Sequence, residues 1–239
     1  MMGKTISGKV ISFRNICIAF LLTGLLSFNT AETVESVLQS YKADELKYFS
    51  EVAFLSGKTR RWGESIRISQ VGCATKDIVY MGDLINELQP LLSRVPITYV
   101  TSGGNLIIHY TKTISDFSQK YTGKGILPLG YAIPKFSSDN SLIHADIYLH
   151  PSLLSAKKNE VLIHEICHTL GLLDHPSSPF TADNIMGASA YKNKSSFLTI
   201  PRLDKAALNL LYDDRMPKNL KKEDFLKKWS LLSTIRKIY

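Results

Sequence analysis

His164 and His168 stand four residues apart in the run Val161–His175, VLIHEICHTLGLLDH, and Glu165 directly follows the first histidine. On an α-helix, positions i and i+4 share one face. Two imidazoles placed in that way can grip one metal ion through ring nitrogens, and zinc suits such a pair. Glu165 is rotated by roughly 100° from His164 on the same helix. It flanks the pair without sharing its direction, where a general base for an activated water belongs. Gly171 permits a sharp turn back. Asp174 and His175 then arrive where a third ligand would return to the ion. Carboxylate oxygen and imidazole nitrogen bind zinc at similar distances, so the chemistry admits either.

The elements that must position these residues can be read around them. A helix is expected over "KNEVLIHEICHTLGL", stopped by Gly171. Upstream, "SIRISQV" alternates as a strand does. Thr75 is expected to cap a helix with Ile78, Met81, Ile85 and Leu88 at helical spacing. "ITYVTSGGNLIIHYT" reads as two strand pieces around Ser102–Gly104, and "LGYAIPKF" and "ADIYLH" as further strands. Downstream of a loop rich in Pro, Ser, Asp and Asn, Pro201 opens a helix with Leu203, Ala207, Leu210 and Leu211 on one face. His109, His144 and His150 fall on or beside strands and read as ordinary strand histidines. Cys167 lies on the helix flank opposite Glu165 and reads as a buried thiol. A Cys73–Cys167 disulfide and two separate thiols both remain open.

The run "HEICHTLGLLD" resembles the zinc signature of the metzincin metallopeptidases, H-E-x-x-H-x-x-G-x-x-H/D. "DNIMGAS" resembles their Met-turn, with Met186 as an apolar floor under the metal. "IPRLDKAALNLLY" is similar to the closing helix of matrixin-type members, and "HADIYLHP" sits where their edge strand lies. The likeness covers about Arg61 to Tyr212, with its strong motifs inside Val161–Met186. It implies an α+β, zincin-like catalytic domain: a twisted mixed sheet with an active-site helix and a C-terminal helix. It implies one catalytic Zn2+ held by His164, His168 and Asp174, the aspartate as in snapalysin-type members. His175 is the alternative third ligand and lengthens the spacing by one. It also implies Glu165 as the catalytic base, and a peptide or protein substrate paired with "ADIYL" at a sheet edge. One departure is Ala188, where many metzincins have tyrosine; Tyr191 is near. The alternative to a peptidase is a catalytically silent zincin-fold binding module, against which the retained Glu165 argues.

The bulk properties set the frame. With 239 residues, 44% hydrophobic and 21% charged, the chain suits one mid-sized domain with extensions. The net charge of +8 is confined to the ends, with +3 before residue 15 and +5 from Lys218 onward. The body is neutral, so nucleic acid is not an expected partner. Residues 1–31 read as a signal peptide, with Lys4, Lys9 and Arg14 before "ICIAFLLTGLLSF" and a small residue, Ala31, at the break. Secretion to an extracytoplasmic compartment follows, with a retained anchor as the alternative. Residues 32–58 read as a helical lead-in or short pro-segment, and 59–216 as the catalytic domain. Residues 217–239 form a basic amphipathic tail with Phe225, Trp229 and Leu232 on one side. That face is expected to pack on the domain, with contact to a membrane surface as the alternative. The oligomeric state is not legible.

Overall fold

The computed structural model describes residues 34–121, 123, 127–153, 155–180, 183–187 and 199–235. The signal-peptide reading and the positions of Ala188 and Tyr191 lie outside these. The architecture is mixed α/β, built on a five-stranded sheet of order β2-β1-β3-β5-β4. The strands are β1 (Ile66–Val71), β2 (Ile97–Tyr99), β3 (Leu106–Tyr110), β4 (Gly130–Phe136) and β5 (Leu142–Leu149). β1 runs parallel to β2 and β3, and β3 parallel to β5; β4 alone is antiparallel, to β5. The inner strands alternate toward the helices: Ile66, Ile68, Leu106, Ile108, Ala145, Ile147 and Leu149 are all buried. That apolar face holds the helices on the sheet.

The helices are α1 (34–39), α2 (Ala43–Val52), α3 (Thr75–Leu88), α4 (Ile114–Lys120), α5 (Ser155–Thr169), α6 (Arg202–Tyr212) and α7 (Lys222–Ile235). Thr75 is the first residue of α3 and not its cap; the backbone N–H of Ala74 donates to the Asp77 carboxylate instead, at 3.0 Å. The buried stripe of α3 runs through Asp77, Met81, Leu84 and Leu88, which leaves Ile78 exposed. The short α4 had no strong apolar period in the sequence. It is capped by Thr113, whose hydroxyl accepts from the Asp116 N–H.

One expectation about neighbours changes. "ADIYL" lies in β5, an inner strand between β3 and β4, so the sheet edge next to the site is β4. Pro134 in "LGYAIPKF" was the available signal, because proline cannot donate to a second ladder and is confined to edges. The segments on either side of the expected catalytic domain join its core. Val37, Leu38, Leu46 and Phe49 from the lead-in, and Phe225 and Leu232 from the tail, belong to one buried cluster. Phe225 sits against Phe49 and Phe54 at ring distances of 5.2 and 5.4 Å. Complete burial of such a ring contributes roughly 1.5–3 kcal/mol, enough to dock the tail on the domain. Cys73 and Cys167 are both free thiols, the first half-exposed and the second buried in α5.

Candidate metal centre

The end of α5 sets the geometry of the site. Gly171 has φ of +111°, a value that favours glycine. Its N–H donates to the His168 carbonyl, and the Leu172 N–H to the Cys167 carbonyl, at 3.1 and 3.0 Å. This is the paired bonding of a Schellman stop. A methyl group on Gly171 would lie 2.2 Å from the Arg60 carbonyl oxygen, so no larger residue fits there. The remaining helix-end carbonyls are also met: Trp62 Nε1–H donates to Thr169 and the Tyr212 hydroxyl to Leu170. The motif helix is therefore anchored at the end that carries His164 and His168.

His164, His168 and His175 come together, each offering a ring nitrogen within 4.8 Å of the others. His164 Nδ1 lies 2.9 Å from the Ile185 carbonyl oxygen, and His168 Nδ1 lies 2.7 Å from that of Leu172. A carbonyl oxygen only accepts, so both Nδ1 atoms carry the proton. In the neutral rings Nε2 then presents a lone pair to the centre. His164 Nε2 and His175 Nε2 are 3.2 Å apart. Two nitrogens at about 2.0–2.1 Å from one tetrahedral zinc are separated by about 3.3–3.4 Å, so the spacing fits that ion. Burial lowers the His164 pKa from 6.5 to about 4, with nearby His175 adding to the effect. Burial also lowers those of His168 and His175. The donor set is thus held neutral, as ligation requires.

At the third position the structure brings forward the alternative of the two candidates. His175, and not Asp174, joins the pair. The Asp174 carboxylate instead accepts the backbone N–H of His175 at 2.9 Å, and its own N–H donates to the Val52 carbonyl. A one-residue change of register in a loop is set by such backbone bonds, which spacing alone does not reveal. Met186 is fully buried, next to the Ile185 carbonyl that holds His164. The Ile185 N–H donates to Asp204 Oδ2 at 2.7 Å, and Tyr48 donates its hydroxyl to Asp204 Oδ1 at 2.5 Å. His109 and His144 do not join this cluster. They bracket Asp146, each 3.0 Å from a different oxygen, on the sheet.

Glu165 shares a cleft of about 670 Å³ with all three imidazoles. Leu55, Leu129 and Leu173 form part of its apolar wall, and Gly130 and Ala132 of β4 form part of its rim. Burial pushes the Glu165 carboxyl up from 4.5 to about 8. In the metal-free protein this acid's stability contribution is complete below about pH 4.5 and is lost as pH rises through about 8. The depressed His164 acts oppositely: its contribution is present above about pH 6.5 and lost as pH falls through about 4. A Glu165→Gln variant shares the histidine effect and lacks the carboxyl effect. Metal-free Glu165→Gln should therefore unfold at a higher temperature than metal-free wild type at about pH 8.5, and at nearly the same temperature at about pH 5. Each pH unit of displacement corresponds to about 1.4 kcal/mol. Equal midpoints at both values would contradict a buried Glu165.

Gly130 is a site residue that the sequence reading passed over. A methyl there would lie 2.6 Å from Val161 Cγ1, and 3.1 and 3.2 Å from Glu165 Cγ and Oε1. Glycine inside a strand often marks such a close approach. Gly130→Ala should push β4 or Glu165 aside. If Glu165 acts on a substrate in this cleft, a displacement of about 1 Å would cost on the order of 10²-fold in turnover and leave metal content unchanged. Unchanged kcat would show that β4 does not set the position of Glu165. Comparison with known proteins adds nothing to this geometry: no protein-family model matches the chain, and no curated protein matches it.

Proposed function

We propose that the chain is a secreted or otherwise extracytoplasmic zinc metallopeptidase of metzincin type, cutting peptide bonds in the cleft between α5 and β4. One observation carries the reading: three imidazoles converge with two tautomers fixed for ligation, and Glu165 lines the same cleft. The mixed sheet with a motif helix and a C-terminal helix agrees with that reading at a coarse level.

His164, His168 and His175 would hold the ion. When bound, zinc supplies Lewis acidity and lowers the pKa of a water toward about 7. Glu165 accepts a proton from the attacking water and returns it to the leaving amine. Its burial makes it more basic than an exposed carboxylate, and a cation beside it brings its pKa back down. β4 has no second strand neighbour among the described residues, so an extended peptide can pair along it beside the imidazoles. The apolar wall excludes water and accepts side chains by burial. Hydrolysis of an unstructured protein substrate by the purified chain, lost on chelation and restored by zinc, is the expected result. Hydrolysis that survives complete removal of metal would contradict the proposal, and zinc binding without hydrolysis would favour the silent binding module.

A further inference from the structure

The loop that carries His175 has little secondary structure of its own, yet it must hold an imidazole within bonding distance of two others. Its backbone ties lead to one place. The Asp174 N–H donates to the Val52 carbonyl at 3.1 Å. The Glu51 carboxylate accepts the Ser178 N–H at 2.9 Å and the Ser177 hydroxyl at 3.2 Å. His175 is thus bracketed on both sides by bonds to the last two residues of α2. The same helix reaches the centre by a second route. Tyr48 donates to Asp204, Asp204 accepts from the Ile185 N–H, and the Ile185 carbonyl orients His164.

We infer that α2 is a positioning element of the metal centre, with Glu51 as the residue that sets the His175 loop. This rests on the metal-binding reading of the three imidazoles. It assigns to part of the lead-in a role opposite to that of a removable pro-segment. The helix also fills core, through Leu46, Phe49 and Val52, and packing alone could explain its presence. Glu51 separates the two roles. It is only half-buried, and among the described residues the groups that donate to its carboxylate, on Ser177 and Ser178, belong to the His175 loop. Burial pushes the Glu51 carboxyl up, but the donors Ser178 and Ser177 outweigh it and hold the carboxyl below its ordinary value. The loop bonds therefore act on the charged form.

The test is zinc affinity of the full chain, by competition with a chromophoric chelator. It compares wild type, Glu51→Ala and Glu51→Gln, each also in a His175→Ala background. Loss of a supporting partner typically weakens a metal by about 10–100-fold, so Glu51→Ala should weaken zinc by about tenfold or more. Glu51→Gln should recover most of that, because its amide oxygen still accepts the Ser178 N–H. In the His175→Ala background Glu51→Ala should change affinity by less than about twofold, since the group through which it acts is gone. The unfolding midpoint of the metal-free chain should fall slightly with Glu51→Ala, from loss of the Ser177 and Ser178 bonds, and by the same amount in the wild-type and His175→Ala backgrounds. Wild-type affinity in Glu51→Ala, or an equal loss in both backgrounds, would overturn the positioning role alone. A wild-type chain that binds no zinc would defeat the metal centre itself, and the positioning role with it.

Discussion

Glu165→Gln is expected to lower peptide hydrolysis by about 10³-fold while leaving one zinc per chain. The carboxylate lines the cleft beside the three imidazoles and belongs to no ligand group, so its removal takes away the proton acceptor and spares the grip. A glutamine keeps the size and the buried position, which separates loss of basicity from loss of packing. KM should change little, because in the proposed binding mode the substrate is held by β4 and the apolar wall and not by Glu165. A fall in kcat and kcat/KM together is the mark of a group that acts in the transition state. If turnover instead fell in step with zinc content, Glu165 would be holding the site together and not moving a proton.

The second large effect separates two neighbouring residues. His175→Ala should weaken zinc by at least about 100-fold, because a lost ligand costs no less than the top of the range for a lost supporting partner. Asp174→Ala should keep zinc within about tenfold of wild type, since the Asp174 carboxylate accepts the backbone N–H of His175 and, among the described residues, is not part of the imidazole cluster. Equilibrium competition on the two variants reads both values. The reverse order would restore the aspartate that the metzincin signature favours, and would require the 172–178 loop to shift by one residue.

That choice marks the limit of what the sequence disclosed. His164, Glu165 and His168 were legible because they lie on one helix, whose periodicity fixes their relative directions. Gly171 was legible because its positive φ follows from where the helix has to stop. The third member of the cluster was not, because Asp174 and His175 differ by one step in a loop whose backbone is bonded to Val52 and Glu51, far away in the chain. The same reason hid the edge strand. β4 and β5 are neighbours in sequence and both alternate, and only Pro134 and Gly130 distinguish the outer one. The lead-in read as separable because its apolar face is short, and its burial depends on meeting the tail, as Phe49 meets Phe225.

The central claim is that His164, His168 and His175 bind one metal ion. Its most direct test is the zinc content of the purified, dialysed chain together with X-ray absorption at the zinc edge. The account predicts one zinc per chain, with three imidazole nitrogens at about 2.0–2.1 Å and one further light atom. No retained zinc, or a first shell with fewer than three imidazoles, would contradict it.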